Sequence, residues 1–597
     1  MRSLKSTMNT PNCVIRIPAK DSYSTSGPTL MGRQAANEGF LNAWFEHSGQ
    51  SEFWCMARYK EEAQIFASKG QAVRRKGSQE SVYRFIAQNQ IHRVKTVGTV
   101  YLPGPQVADI AWVRRRNPQA LASDFSIVGM THTSCELPIQ DSLANMLTAP
   151  VYPWDAQICP SQSVQTMVQR LLDDESAWLR ERLGASRMVQ PQLPILPLGV
   201  DCDRLDPEPQ TKAAHREHWR RKWGLNDEDM AVLYMGRLDL RTKANLYPML
   251  DALELAANQL SSTQGPALHL ILAGWFASEW DETHLRQAVV QACPHVRVIF
   301  EDGRTPEARQ GVWHAADLFT SLVDNIQETF GLTPIEAMAA GLPVVVSDYD
   351  GYRESVRHGV DGFRIHTCQP GAGQGLSLID AHTDSMLSYR DYVSQASSQI
   401  GLDIAQAAQA YVQLARSPDL RASMGAQGRQ RARQTYDWAR LIPQYQALFQ
   451  ELQHTREQAK KSAAPDQDWT ESHSNWGARH PRRSDPFHSF AHYPSTVLHP
   501  DMVLHPGPLL GSTAAQQQAQ VQQQLARPIY QHLQGKLQPE LIEDLLQHIT
   551  LNPDGTNLKR WRAHPDADQG SEMFQHIGWL VKAGLLSLSA NADKPAS

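Results

Sequence analysis

The sequence predicts an α/β protein: two doubly wound, parallel-sheet domains in series, then a linker and a small helical module. Three observations carry this expectation. Short apolar runs recur between Gly, Asp and Ser from about Pro11 to Ala439, clearest at Ala231–Met235, Leu268–Ala273, Val296–Phe300, Leu318–Val323 and Pro343–Ser347. Most are followed by an amphipathic stretch of helix length, and continuous apolar strands alternating with helices mean a parallel sheet covered on both faces. After about Glu451 the style changes to a segment rich in Pro, His, Ser and Asp with little periodicity.

Taken in order, Gly39–Glu46 reads as a helix face, and Val97–Tyr101 and Phe125–Gly129 read as buried strands. Pro194–Val200 reads as a last strand feeding the turn Leu198-Gly199-Val200-Asp201. The polar segment Asp206–Glu228 reads as a solvated helix, which places the domain break near Leu205. The expected divisions are a first domain over 1–205, a second over 206–452, a Pro/His-rich linker over 453–512 and a helical module over 513–597. The module rests on the Gln-rich run Ala514–Gln524 and on the amphipathic stretches Pro539–Thr550 and Glu572–Leu586.

Composition bounds the function. The chain has 597 residues, 41% of them hydrophobic and 20% charged, with a formal net charge of -5. Such a balance argues against a nucleic-acid binder. The seven cysteines are scattered and include no CxxC pair, so they read as reduced thiols of a cytoplasmic protein. No run approaches the roughly 18 apolar residues of a membrane span. Peripheral contact with the inner face of a membrane stays open. The clusters Arg74-Arg75-Lys76 and Arg114-Arg115-Arg116 are either solvated faces or a surface for an anionic acceptor or membrane.

The most informative segment is Gln327-Glu328-Thr-Phe-Gly331-Leu-Thr-Pro-Ile-Glu336-Ala-Met-Ala-Ala-Gly341-Leu-Pro343, just after the run Leu318–Val323. Thr333 and Pro334 suit an N-cap and first helical position, which makes Glu336 the acid of a capping box. That alone is a routine helix signature. Its place changes the reading: ligands of open parallel sheets bind at the carboxyl ends of strands, and a helix N-terminus offers N–H groups to phosphate. Two carboxylates beside an anion site suit a sugar nucleotide.

Two glutamates with seven residues between them, Phe330-Gly331 after the first and EAMAAGLPVV from the second, resemble the nucleotide-sugar motif of glycosyltransferase family 4, of the GT-B fold. The resemblance implies two Rossmann-like domains facing a cleft. It implies that Glu328 holds the donor sugar, Glu336 the ribose hydroxyls, and the backbone of Phe330, Gly331 and Leu332 the distal phosphate. Gly236-Arg237 and Lys243 resemble the family's diphosphate clamp, and cations there would neutralise the charge growing on the leaving group. Gly303 and Arg304 fall near the base. His132 follows a strand where the family places a residue near the reacting centre, and Gly32-Arg33 occupies the place of its glycine loop. The resemblance is strong over Ala231–Phe363 and does not reach the tail.

The implied activity is a retaining, metal-independent transfer of a sugar from a nucleoside-diphosphate sugar to a hydroxyl of a saccharide, lipid-linked or small-molecule acceptor. No cofactor is implied beyond the donor, and Asp348-Tyr349-Asp350, spelled like a metal-binding DxD, reads as non-metal, in a turn that the family uses for structure or sugar contact. The alternatives are another nucleotide-sugar enzyme such as an epimerase, and an adaptor that keeps the fold and works through its C-terminal module. The recurring histidines His473, His480, His488, His492, His499 and His505 lack ligand spacing and read as compositional.

Overall fold

The computed structural model describes residues 11–18, 20–24, 32–74, 81–461, 480–533, 536–557 and 572–589. The chain divides into two units, Met1–His480 and Pro481–Ser597.

The first unit holds two six-stranded sheets. One is built from β1 (Val14–Ile17), β2 (Glu52–Ala57), β3 (Val82–Ala87), β4 (Thr99–Tyr101), β5 (Ser126–Met130) and β6 (Ala156–Ile158), in the order β3-β2-β1-β4-β5-β6. Every pairing in it is parallel. The other is built from β7 (Met230–Leu238), β8 (Leu268–Phe276), β9 (Arg297–Asp302), β10 (Leu318–Ser321), β11 (Val344–Ser347) and β12 (Gly362–Ile365), ordered β12-β11-β10-β7-β8-β9. It too is wholly parallel. Counted from its own first strand, each sheet has the order 3-2-1-4-5-6 of a Rossmann fold. The strands are apolar throughout because helices cover both faces: β10 and β11 are buried at every position. The two-domain GT-B architecture expected from the sequence is present.

Pro194–Val200 is not a strand. Pro194 and Pro197 have no N–H to donate, and the segment joins its neighbours only through isolated bridges at Ile195 and Val200. The helix in the polar segment, Pro209–Trp223, is not simply solvated either, since Trp219, Arg220 and Trp223 are buried. Arg220 reaches Asp317 at 3.1 Å and the carbonyl of Asp229 at 2.8 Å. The run Arg114–Arg116 is not one basic patch. Arg114 is only 1% exposed and makes a two-pronged pair with buried Asp155, at 2.9 and 2.7 Å. Arg75 and Lys76 of the other cluster lie outside the described residues.

The chain passes from the first sheet to the second near Val200 and returns near Asp437, and the two crossings pair with each other. Val200 N–H donates to the Tyr436 carbonyl at 2.9 Å and Trp438 N–H to the Val200 carbonyl at 3.2 Å. The returning helix, Trp438–Lys461, then packs on the first sheet's helices, with Tyr445 against Phe40 (5.1 Å between ring centroids) and Phe449 against Trp44 (5.9 Å). Arg456 closes its far end by donating to the Gly98 carbonyl at 2.6 Å and the Ser126 hydroxyl at 2.8 Å. The helix therefore runs past 452 into the segment expected as linker.

The second unit is not a purely helical module. It has a three-stranded sheet ordered β16-β15-β17, formed by β15 (Val503–Pro506), β16 (Thr556–Asn557) and β17 (Leu586–Ser589), with antiparallel pairings. β15 falls inside the expected linker. The helices Ala514–Leu525, Pro539–Leu551 and Glu572–Lys582 pack with this sheet around Leu504, Leu545, Ile549, Ile577 and Leu580. Short strands of two to four residues leave too little alternation to read in a sequence. Among the described residues no helix is long and apolar enough to cross a membrane.

A chain ended after His480 is expected to fold cooperatively on its own, because the cut falls between the two units. His480 itself belongs on the retained side, its ring 4.6 Å from that of Trp112. An insoluble product, or one without a cooperative melting transition, would make the second unit part of the first unit's folded body.

Candidate active site

The two sheets of the first unit share a cavity of about 670 Å³, lined from both. Its position follows from strand order. β7 and β10 are neighbours, yet the chain leaves them towards opposite sides of the sheet, which opens a crevice at their carboxyl ends. The end of β7 supplies Gly236 and Arg237, and its loop supplies Lys243. The loop after β10 supplies Gln327, Glu328 and the segment to Glu336. From the first sheet, the loop after β5 supplies His132 and Thr133, and the helix Gly32–His47 supplies Gly32 and Arg33.

Lys243 and Glu328 meet across the crevice, Nζ to Oε2, at 2.6 Å. Burial pushes the Glu328 carboxyl up, but the Lys243 ammonium and the N–H groups of Thr329 and Phe330 overcome this and hold it below the usual range. It is a carboxylate with one oxygen on a lysine and the other at 3.2 and 3.5 Å from backbone donors.

Arg237 is aimed by a tight turn. Its Nη1 donates to Asp239 Oδ2 at 2.9 Å and its Nη2 to the Thr242 carbonyl at 3.4 Å. Asp239 is buried and also accepts from the N–H groups of Arg241 and Thr242 and from the Thr242 hydroxyl, at 3.1, 2.9 and 2.6 Å. With its carboxylate fixed by the backbone, Asp239 fixes Arg237 in turn.

Gly331 begins the helix Leu332–Ala340 as its N-cap, at φ 83°. A Cβ there would collide with the Tyr352 ring, so both the left-handed backbone and the close approach require glycine. The expected capping box is absent: the helix starts before Thr333, and no side chain caps it. Glu336 is thereby released from a helix-capping role. It lines the cavity without a hydrogen-bond partner among the described residues. Burial raises its carboxyl, against the opposing pull of the Arg204 and Arg309 guanidinium groups.

His132 is held Nε2 to Asn37 Oδ1 at 2.9 Å, while its carbonyl accepts from the Thr329 hydroxyl at 3.1 Å. Burial first, and the Arg33 charge second, bring its imidazole down to about 4. It is neutral at physiological pH and presents one donor or acceptor to the cavity. Phe330 is buried edge-on to Tyr436 and belongs to the cavity lining. Leu332 and Gly303 line the cavity as well.

Arg304 does not. It folds back on Asp302 two residues earlier, Nε to Oδ1 at 3.0 Å and Nη2 to Oδ2 at 2.9 Å, and lies outside the lining. The two aspartates of Asp348-Tyr349-Asp350 also diverge. Asp348 Oδ1 lies 3.2 Å from Arg364 Nη1 as an ion pair without a hydrogen bond, and Asp350 adopts φ 44° with Oδ2 buried and without a hydrogen-bond partner among the described residues. Among the described residues no three His, Cys, Asp or Glu side chains gather as a metal site.

Sequence reasoning missed Asn37, Asp239, Gln327, Arg204 and Arg309, and also Tyr389 and Arg390, which reach the cavity from the helix Tyr389–Ser397. Asp239 sits inside a quoted motif and its spacing from Arg237 was the available signal. Tyr389 and Arg390 come from a segment without any motif.

Twinned Rossmann sheets with paired cations and carboxylates at a switch point define a GT-B protein. Residues 215–373 match the family described as "Glycosyl transferases group 1". Among curated proteins, the chain is 28% identical over 231 residues to a phosphatidyl-myo-inositol mannosyltransferase of Mycobacterium leprae, covering 38% of this chain and 50% of that one. It is 27% identical over 218 residues to a D-inositol 3-phosphate glycosyltransferase of Rhodococcus erythropolis, covering 35% of this chain and 45% of that one. The chain thus spans about half the length of the curated relatives it matches. Among solved structures, it resembles Anabaena Alr3699/HepE in complex with UDP, at 15% identity and a TM-score of 0.43 over 75% of this chain and 100% of that one.

Proposed function

We propose that the protein is a retaining glycosyltransferase that moves a sugar from a nucleoside-diphosphate sugar to an acceptor hydroxyl without a metal ion. The observation that carries this is the pairing of Lys243 with Glu328 at 2.6 Å beside Arg237, in a cavity that also exposes Glu336. Each group has a task in such a reaction. Glu336 has an unpartnered carboxylate for the ribose diol. Arg237 and Lys243 supply positive charge where the diphosphate leaves. Glu328 has a carboxylate oriented for the donor sugar's hydroxyls, and neutral His132 a hydrogen bond for a hydroxyl at the reacting centre. The N–H groups near Gly331, at the start of a helix, suit the distal phosphate.

In the proposed step the acceptor oxygen bonds to the anomeric carbon on the face from which the diphosphate departs. The bond from that carbon to the phosphate oxygen breaks, and the acceptor's proton passes to the departing phosphate. Neither Asp348 nor Asp350 of the DxD spelling lines the cavity, which favours cationic side chains over a metal for the leaving group.

The test is incubation of the full chain with a panel of nucleotide sugars, scoring released nucleoside diphosphate and the anomeric configuration of the product. One donor is expected to turn over, with retention, at the same rate in excess chelator. Turnover of none, an inverted product, or activity lost in chelator and restored by manganese would each overturn the corresponding part of the reading.

A further inference from the structure

We propose that Arg390 is a third donor-binding cation, contacting the diphosphate beside Arg237. The proposal rests on the donor reading above. It concerns a residue outside the family match, which ends at 373.

The helix that carries Arg390, Tyr389–Ser397, lies between the short antiparallel strands β13 (Thr367–Cys368) and β14 (Gly401–Leu402) on one side of the cavity. It is docked at its first turn. The Ser388 hydroxyl caps it by accepting from Asp391 N–H at 3.2 Å. Asp391 pairs with Arg241 at 3.6 Å, and the Arg241 guanidinium lies 4.6 Å from the centroid of the Trp280 ring. Tyr389 donates its hydroxyl hydrogen to Gln327 Oε1 at 2.8 Å, on the loop that carries Glu328, and lies 3.2 Å from Cys135 Sγ of the first domain. Arg390 is thus delivered to the crevice by contacts its own side chain does not make.

Within the crevice, Arg390 uses one nitrogen only. Nη2 donates to Asp239 Oδ1 at 3.2 Å and to Asp281 Oδ2 at 3.3 Å. The other oxygen of Asp239 holds Arg237, so the two guanidinium groups flank a single buried carboxylate. Arg390 Nε is buried and has no partner, Nη1 makes no hydrogen bond among the described residues, and the residue lines the cavity. The side chain is 36% exposed, and Nη1 is the nitrogen left to meet a ligand. An open guanidinium nitrogen, Nη1, on a side chain held next to the inferred diphosphate cation, suits a charge-assisted hydrogen bond to a phosphate oxygen. The bland alternative is that Arg390 only neutralises Asp239 and Asp281.

Calorimetry on the full chain separates the two. The probes are the nucleoside diphosphate that the wild type binds most tightly from a panel of four bases, and the monophosphate of the same base. Arg390→Gln keeps a side-chain amide for the buried aspartates while removing the charge. It is expected to weaken the diphosphate about tenfold or more and the monophosphate less than about twofold. Arg390→Lys is expected to recover part of the loss, with a melting temperature near that of the wild type. Equal losses for both ligands, or diphosphate affinity unchanged in a folded Arg390→Gln, overturn the proposal. If Arg390→Gln does not fold, Arg390→Met decides, because it removes the charge with a side chain of similar length and the same two-ligand comparison applies. A wild type that binds no nucleoside diphosphate overturns the donor reading itself, whereas normal wild-type binding with an indifferent Arg390 overturns this proposal alone.

Discussion

Glu328→Gln is expected to lower the turnover of the donor by roughly a hundredfold or more, the scale of losing one preorganised group at a developing charge. Nucleoside diphosphate affinity should stay the same or tighten slightly. Glu328 holds the Lys243 ammonium at 2.6 Å, so neutralising the carboxylate releases that cation towards the phosphates while removing the inferred grip on the sugar. The measurement is single-turnover transfer beside calorimetric titration with nucleoside diphosphate. A loss of diphosphate affinity matching the loss in rate would mean that Glu328 serves the nucleotide, and the assignment to the sugar would fall.

Arg237→Ala and Lys243→Ala should each weaken nucleoside diphosphate binding by about 1.5–3 kcal/mol, the range for a hydrogen bond to a charged group, and leave nucleoside binding nearly unchanged. The two variants differ in what they leave behind. Arg237→Ala strips one of two guanidinium groups from Asp239, which retains Arg390 at 3.2 Å and its own turn N–H groups. Lys243→Ala leaves Glu328 with only backbone donors, so its carboxyl should rise from its present depressed position. Its charge would then be lost at a higher pH than in the wild type, and the acid limb of the rate profile should move upward. Equal losses for nucleoside and nucleoside diphosphate in both variants would refute the clamp.

The second sheet and its ligand end were legible because there the local and global signals agree. Apolar runs such as Val344–Val346 can only be strands buried on both faces, and the GR…K and E…E spacings sit directly after such runs. What was not legible depends on backbone geometry or on distance along the chain. Thr333-Pro334 spells a helix start, yet the helix begins two residues earlier, because Gly331 adopts a conformation that residues with a Cβ rarely enter. Arg304 follows a glycine in a promising loop, but a carboxylate two residues away captures it. Arg114 reads as part of a surface run until Asp155, forty-one positions away, pulls it inside. Arg390 belongs to a segment whose periodicity gives no sign of the cavity it enters. The small sheet of the second unit was hidden by its brevity.

The paired crossings at Val200 and Asp437 have a mechanical meaning. A two-domain enzyme whose connections pass at separate places must strain one of them whenever the domains rotate. Here both connections run side by side and are hydrogen-bonded to each other, like the two leaves of one hinge. The Trp438 indole lies between Gly39 and Gly199, where any added Cβ would press on the ring, and so acts as the pin of that hinge. The contacts that span the cleft further out are polar: the Ser161 hydroxyl donates to the Thr329 carbonyl at 2.9 Å, and the N–H groups of Gln162 and Ser163 donate to the two oxygens of Glu354. The cleft therefore has a durable axis at one end and a releasable latch across its mouth.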